Sequence, residues 1–288
     1  MVRNARRTKR RLLGLECCLN GCSVAYMEGD DVLFSRCAAH VVYVVDVPHV
    51  SHTLQAPQAS QAPQGRDRKQ GGWGKAVFSS RGVAERLLLF IEECFTFCKI
   101  TADAIDAVVA VRGPGSFTGV RACLSAAHAC ALSASCPVHG VTTFDMLAWS
   151  YGESYGAQLE GDAVYPMRVI VPAVGDAIYG QEYRMHTSEA GVVSRLVSHG
   201  KVRHGTLHDE CHARGDKKQG VSVIPSCVAA SVPSMTHAYG VAPHAVHALR
   251  YCLCHGLCED TRQEHTRASP QAFHVVEPFY GRGHYASA

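Results

Sequence analysis

The sequence predicts an α/β fold, because short β-branched apolar segments alternate with longer segments of helical periodicity. An Asn-Gly dipeptide at residues 20–21 separates two apolar segments, as in a β-hairpin. A strand–helix–strand succession over residues 106–141 implies that part of the sheet is parallel. With 288 residues, of which 47% are hydrophobic, the chain can form one large domain or two modest ones, each with its own core.

The N-terminal part predicts an antiparallel sheet. Leu12–Glu16 and Cys22–Met27 are the strands on either side of the Asn-Gly turn. Val32–Cys37 follows a second turn at Gly29-Asp30 and predicts a third strand. Val41–Val47 is rich in β-branched residues and is expected to extend the sheet.

Two helices follow in the sequence pattern. Val83–Cys98 has helical periodicity, and its apolar side chains cover more than half of the helix circumference. Phe117–Ser135 is rich in small residues and carries one Lys or Arg, Arg121. The strands Asp106–Val111 and Val138–Val141 flank this second helix.

The second half of the chain is less regular. Thr143–Tyr151 predicts a helix, and Met167–Ala173 and Ile178–His186 predict strands. Residues 198–220 are polar and rich in glycine and histidine, which indicates a surface insertion. Ala238–Cys254 predicts a C-terminal helix.

Composition divides the chain further. Residues 1–11 carry six Lys or Arg side chains and are predicted to be a basic, disordered tail. An N-terminal lobe is predicted over 12–142, with a low-complexity insertion at about 48–75 that repeats Gln-Ala-Pro-Gln. A C-terminal lobe is predicted over 143–288. Outside the basic tail, acidic residues slightly outnumber basic ones, so the body of the chain is not predicted to bind nucleic acid by itself.

The 14 cysteines are scattered, and several lie inside apolar segments. The apolar segment after the basic tail is too short and too polar for a signal peptide. The cysteines are therefore interpreted as buried thiols in a cytoplasmic protein rather than as a disulfide framework. The sequence also contains no apolar segment typical of a membrane span.

Two clusters contain residue types that bind zinc. The first consists of His204, His208 and His212. The second consists of Cys252, Cys254, Cys258 and His255. Glycines interrupt the first cluster and the second lacks a paired knuckle, so neither is predicted as a metal site, although both alternatives stay open.

The most specific motif is Gly-Pro-Gly-Ser-Phe-Thr-Gly-Val-Arg, which lies between a predicted strand and the second helix. Its glycines indicate a tight turn, and its serine is placed to cap the helix. The spacing fits neither the dinucleotide-binding glycine motif nor the P-loop, although backbone N–H groups at a helix start can hold an anion. The candidate residues are Gly113, Pro114, Gly115, Ser116, Phe117, Thr118, Gly119 and Arg121.

This motif closely resembles the signature of the TsaB (YeaZ) family. Five further segments resemble that family and occur in its order: Leu12–Ala25, Ala84–Ile91, Val138–Ala148, Gly175–Tyr183 and Glu277–Arg282. The resemblance implies an actin-like, Hsp70-like ATPase (ASKHA) fold of two ribonuclease-H-like lobes.

It also implies a function. The chain would be a non-catalytic scaffold that activates threonylcarbamoylation of adenosine 37 in tRNAs reading codons that start with A. It would bind the catalytic subunit TsaD as a heterodimer, join the ATPase subunit TsaE in a larger complex, and meet tRNA indirectly. A homodimer through the same helices is the expected alternative when TsaD is absent.

The two helices are predicted to form the partner interface, because the first is too apolar for solvent and the second carries small residues that permit close approach. The candidate interface residues are Leu87, Leu88, Ile91, Cys94, Phe95, Val120, Ala122, Ala126 and Ala129. The alternative interpretation is that these residues are simply buried in one core.

Catalysis by this chain alone is not expected. Glu16, Cys17 and Cys18 stand where nucleotide-binding relatives offer an Asp and hydroxyls, and thiols are weak hydrogen-bonding groups. Thr143 and Leu147 stand where catalytic relatives have metal-binding histidines. The sequence thus predicts no metal and no tightly bound cofactor, with ATP or ADP held at the joint interface with TsaD. The rival interpretation is a stand-alone ATP-dependent or metallopeptidase-like (glycoprotease-type) enzyme of the same fold.

Overall fold

The computed structural model describes residues 9–19, 21–39, 82–155, 164–173, 177–188, 192–206, 221–225, 238–241, 243–258 and 275–280. Two five-stranded sheets, with helices packed on them, make up this part of the chain.

The first sheet has the strand order β3-β2-β1-β4-β5. Its strands are β1 (Arg11–Glu16), β2 (Gly21–Glu28), β3 (Asp31–Ala39), β4 (Ala107–Val111) and β5 (Val138–Val141). The first three strands pair antiparallel, with a two-residue turn at Gly29-Asp30 between β2 and β3, whereas β4 and β5 run parallel to β1. Each parallel connection passes through a helix, as parallel pairing requires.

Three helices flank this sheet. The helices α1 (Val83–Cys98) and α2 (Phe117–Ala134) contact each other as well as the sheet. A later helix, α4 (Ala245–Cys254), packs against the central strands of the same sheet. A Cβ on Gly14 of β1 would overlap the Leu249 side chain of α4, so this glycine permits the close approach.

The second sheet has the order β10-β9-β6-β7-β8. Its strands are β6 (Val164–Pro172), β7 (Ala177–Thr187), β8 (Val193–Thr206), β9 (Val221–Pro225) and β10 (Ala238–Val241). The helix α3 (Thr143–Tyr155) packs against this sheet and also against α4. The α3–α4 pair therefore connects the two sheets.

The predicted α/β class is confirmed, and α1 and β5 have the predicted bounds. Two local predictions were wrong. Residues 198–206 of the predicted insertion belong to β8, and the predicted C-terminal helix is a strand, β10, followed by α4. Pro243 precedes α4, and a helix rarely continues through a proline. The predicted strand Val41–Val47 lies outside the described residues, and the lobe boundaries remain predictions.

The cysteines of the described residues are all free thiols, and most are buried in the apolar core. Burial raises the pKa of the Cys22 thiol to about 12, so this thiol is uncharged at neutral pH. No helix in the described part of the chain is long and apolar enough to cross a membrane.

Candidate functional site

The glycine turn packs directly on the chain that follows β1. A Cβ on Gly115 would overlap the Cys18 carbonyl oxygen, and a Cβ on Gly119 would overlap the Cys17 carbonyl oxygen. The Ser116 N–H donates to the same Cys18 carbonyl at 2.8 Å. Two of the motif glycines are therefore required by backbone-to-backbone contact inside the chain.

The other predicted features of the turn also have structural partners. The Ser116 hydroxyl accepts a hydrogen bond from the Gly119 N–H at 3.0 Å, which confirms the predicted helix cap. Gly113 has φ 103°, and a Cβ there would overlap the Phe279 carbonyl oxygen. Thr118 is exposed at the start of α2.

Residues 275–280, the C-terminal strap, cross the start of α2. The Phe279 N–H donates to the Arg112 carbonyl at 2.7 Å. The Tyr280 ring stacks on Phe117 with centroids 5.5 Å apart. The Arg121 guanidinium lies 3.7 Å from the Phe117 ring centroid and donates to the Tyr280 hydroxyl at 3.2 Å. Phe117 and Arg121 of the motif thus hold the strap.

A histidine of α2 fixes the other end of the strap. The Val276 N–H donates to His128 Nε2 at 3.1 Å, so this nitrogen carries a lone pair. The His128 Nδ1–H then donates to the Leu124 carbonyl at 2.7 Å. The sequence contained no signal for this contact, because the two residues are far apart in the chain.

The start of α3 meets the glycine turn as well. Thr143 donates its N–H to the Gly113 carbonyl at 2.8 Å and its hydroxyl to the Pro114 carbonyl at 2.7 Å. Thr143 and Leu147 are both buried. The turn, the strap and α3 therefore form one packed junction.

Glu16 faces into the structure and is 1% exposed. Its Oε1 accepts from the Cys18 N–H at 2.8 Å and from the Leu19 N–H at 3.3 Å. Its Oε2 accepts from the Ser23 hydroxyl at 3.0 Å. Burial raises the pKa of Glu16 to about 7, against the opposing effect of these hydrogen bonds. The carboxyl group thus closes the turn between β1 and β2.

The two adjacent thiols are buried as well. The Cys18 thiol donates to the Val111 carbonyl at 3.1 Å. Burial raises the pKa of both Cys17 and Cys18 well above the ordinary value for a thiol. These groups therefore support the chain's own backbone and offer no charged ligand at neutral pH.

The predicted interface residues of α1 and α2 have different environments. Five of them are buried in this chain's own core: Leu87, Ile91, Cys94, Val120 and Ala126. Phe95 and Ala122 are half-buried, and Leu88 and Ala129 are exposed. Helical periodicity located the apolar residues but could not separate the stripe that faces the sheet from the stripe that faces outward.

The exposed apolar residues of the two helices were largely missed. Leu88 is 60% exposed and Leu89 56% on α1, and Leu132 is 61% exposed on α2. Phe97 is 71% exposed, although its ring lies 5.8 Å from that of Phe34 on β3. We call Leu88, Leu89, Leu132 and Ala129 the α1–α2 apolar surface; such exposure on neighbouring helices is typical of a partner site.

The structure describes only some residues of the two clusters with zinc-binding residue types. His204 lies on β8 rather than on a helix, and His208 and His212 lie outside the described residues. Cys252 and Cys258 are buried with their sulfurs 3.0 Å apart. Within the described ranges, no three His, Cys, Asp or Glu side chains are grouped so as to hold a metal ion.

Residues 77–195 match the family model described as TsaD: tRNA N6-adenosine threonylcarbamoyltransferase. The chain is 32% identical over 104 residues to the tRNA threonylcarbamoyladenosine biosynthesis protein TsaB of Escherichia coli strain K12. That alignment covers 36% of this chain and 42% of the relative, so the chain spans less than half the length of the curated relative it matches.

Two solved structures share the fold. One is a Pseudomonas aeruginosa protein with similarity to peptidase YeaZ, with TM-score 0.59, 20% identity and coverage of 95% of this chain and 100% of that one. The other is YeaZ from Pseudomonas aeruginosa, with TM-score 0.55, 19% identity and coverage of 86% and 94%. The TsaB-like character predicted from the sequence is confirmed.

Proposed function

This chain is TsaB (YeaZ)-like, and from that premise we propose that it is a non-catalytic subunit in tRNA threonylcarbamoyladenosine biosynthesis. It would bind the catalytic subunit TsaD and hold it in a competent state. The name of the Escherichia coli relative supports the pathway, and the α1–α2 apolar surface supports the partner role. That surface is the observation on which the proposal rests.

The two sheets fit the two lobes of an actin-like, Hsp70-like ATPase fold. Each sheet has five strands, and the α3–α4 pair packs between them. In such a fold the helices on the outside of a lobe are free to meet another subunit, and α1 and α2 have this position on the first lobe.

TsaD would cover Leu88, Leu89 and Leu132 with a pair of its own helices. Burying such side chains releases about 1.5–3 kcal/mol each, before the entropic cost of association. The same surface would pair two copies of this chain when TsaD is absent, and TsaE would join the complex without displacing TsaD.

The chain itself is not proposed to hydrolyse or bind nucleotide tightly. Glu16 is saturated by donors from its own turn, and the neighbouring thiols are buried and uncharged. The glycine turn leaves no room for a phosphate between Gly115 and Cys18, because their backbones are in contact. ATP or ADP would instead lie at the joint surface with TsaD.

Reconstitution tests the role. TsaD, TsaE, the threonylcarbamoyl-adenylate synthase, threonine, bicarbonate, ATP and tRNA are combined with and without this chain, and modified adenosine is measured by mass spectrometry. We expect modification to depend on the chain. Full modification without it, by partners shown to be active, would contradict the proposal; stoichiometric metal or tight ATP binding by the isolated chain would favour the stand-alone enzyme.

The variant Leu88→Glu/Leu89→Glu tests the surface. Both side chains are exposed, so the chain should fold, whereas Leu87 and Ala126 are too buried for this purpose. We expect at least a tenfold loss of TsaD binding. Val192→Glu, at a residue 63% exposed beside the second sheet, is the matched control and should bind TsaD normally.

A further inference from the structure

The second sheet has a face that points away from the helices. Residues directly opposite each other on paired strands share a face. Met167 pairs with Tyr183, and both are buried in the core with Val169 and Met185. The alternate positions of β6, β7 and β8 therefore point the other way, and we call them the outer face.

Five rows of paired residues cross the outer face, and four of them contain an Arg. These four are Val164–His186–Arg195, Pro166–Arg184–Val197, Arg168–Glu182–His199 and Ile170–Gly180–Arg203. Each of these four rows places one Arg among three neighbouring residues. The fifth row, Pro172–Ile178–Gly205, contains no charged residue. Ile170 and Ile178 are buried, so the basic character belongs to the part of the face that carries Arg184, Arg195 and Arg203.

The charge of this face is strongly one-sided. The strands β6, β7 and β8 contain five Lys or Arg residues and one carboxylate, Glu182. Arg184, Arg195 and Arg203 are exposed, as is the fifth cation, Lys201, at the irregular part of β8. Arg203 lies 3.7 Å from Glu182, and the exposed cations Arg184, Arg195 and Lys201 outnumber this single carboxylate.

The helix α1, which packs on the first sheet, has the opposite charge. The exposed charges of α1 are mostly acidic: Glu85, Glu92 and Glu93 stand against Arg86. The nearly neutral composition of the chain therefore conceals a segregation of charge. A basic sheet face on an otherwise acidic body is the electrostatic pattern of a polyanion site.

The kind of polyanion can be inferred from the side chains of β6, β7 and β8, whose tyrosine rings do not point outward. Sheets that read single-stranded RNA do so by stacking bases on exposed aromatic rings. The tyrosines of these strands, Tyr165, Tyr179 and Tyr183, all pack toward the core. The guanidinium groups are thus suited to phosphates, which fix position without reading sequence.

We propose that the outer face binds the phosphate backbone of a folded RNA. The identity of that RNA as the tRNA substrate rests on the proposed function. The RNA would lie across β6, β7 and β8, on the side of the sheet opposite α3. Binding is expected to be independent of sequence and strongly weakened by salt, because each phosphate contact releases a counterion.

The test uses the full-length chain alone and a fluorescein-labelled unmodified tRNA transcript, with anisotropy measured over a range of KCl concentrations. We expect Arg184→Glu/Arg195→Glu to weaken binding at least tenfold. The dependence of log Kd on log KCl should become shallower by about one for each lost phosphate contact. Thermal unfolding of each variant checks that it is folded.

The matched control is Arg36→Glu/Arg86→Glu, which reverses two exposed charges beside α1. We expect less than a threefold change. Equal losses in both double variants, or none in the outer-face variant, would overturn the proposal. Displacement of the tRNA by polyglutamate at the same charge concentration would also overturn it, in favour of an acidic protein partner.

This experiment separates the two proposals. If the outer face binds RNA but the chain does not support modification, the RNA-binding proposal stands and the scaffold role is rejected. If the chain supports modification but its Arg184→Glu/Arg195→Glu variant binds RNA as tightly as the wild type, the scaffold role stands and the outer-face proposal is rejected.

Discussion

The Glu16 carboxylate accepts a hydrogen bond from the Ser23 hydroxyl at 3.0 Å, and the same hydroxyl accepts one from the Ala245 N–H at 2.9 Å. Ser23 thereby links the first turn of the sheet to the start of α4. In a nucleotide-binding relative the acidic residue of this turn would face the ligand. Here it fixes the turn after β1 and, through Ser23, the start of α4.

The first prediction concerns Glu16 and pH. Burial raises its folded-state pKa to about 7, above the unfolded value. The protonated carboxyl therefore stabilises the fold below pH ~4.5, and this contribution is lost as pH rises through about 7. We expect the free energy of unfolding to fall by at most about 3 kcal/mol over that range from this group.

Urea unfolding of the wild type and of Glu16→Gln at pH 5 and pH 7.5 checks this. The variant cannot ionise, so its stability should change less between the two pH values. An identical pH dependence in both proteins would contradict the assignment. Glu85→Gln, at an exposed position of α1, is the control and should behave as the wild type.

The second prediction concerns the glycine turn. Gly115→Ala and Gly119→Ala each place a Cβ against a backbone carbonyl oxygen, which cannot rotate away as a side chain can. We expect losses of at least ~2–3 kcal/mol in the free energy of unfolding. Gly205→Ala is the matched control, because no atom lies within 4 Å of its Cβ, and its effect should stay within ~0.5 kcal/mol.

Chemical unfolding at one pH measures the three variants. If both motif variants are as stable as the wild type, the glycines are not needed for packing, and anion binding by the turn becomes the alternative to test. If Gly205→Ala loses as much stability as the motif variants, the loss does not depend on the contact with a carbonyl oxygen.

The sequence predicted most strands and helices, because hydrophobic periodicity and turn residues are local signals. The bounds of α1 and β5 and the Ser116 cap are correct for this reason. The long strand β8 was missed because its polar, glycine-containing sequence resembles a loop, and it is held by pairing with β7.

The functional surfaces were harder to predict, because they depend on which side of an element faces the core. The leucines of α1 are adjacent in sequence, yet Leu87 is buried and Leu88 is exposed. The basic outer face arises from residues on three strands whose register was unknown. Contacts such as His128 with Val276 require the folded chain to be seen.

The third prediction concerns the α3–α4 pair. Glu153 accepts from Trp149 Nε1 at 2.8 Å, from Arg250 at 3.0 Å and pairs with His247 at 2.9 Å. Burial alone would raise the pKa of Glu153, but the contacts with these three residues outweigh it and lower the pKa. The contacts of the Glu153 carboxylate therefore stabilise the fold at pH values above its unfolded-state pKa. This contribution is lost as pH falls through the folded-state pKa.

We expect Glu153→Gln to lose roughly 1–3 kcal/mol of unfolding free energy at pH 7, with a smaller loss below pH ~4. Thermal or urea unfolding at both pH values measures this. Glu92→Gln, at an exposed position of α1, is the control. A loss from Glu153→Gln that is unchanged at acid pH would contradict the charge argument.

The last prediction concerns the C-terminal strap. Tyr280→Ala removes a ring stacked on Phe117 and the hydroxyl that accepts from Arg121, so the first turn of α2 should open more often. We expect about 0.5–1.5 kcal/mol less protection of the first-turn amides of α2 in hydrogen exchange, with little change at β4. Tyr280→Phe keeps the stack and should recover most of the protection, whereas Pro278→Ala, at an exposed strap residue, should change little. Unchanged exchange in Tyr280→Ala would show that the strap lies on α2 without holding it.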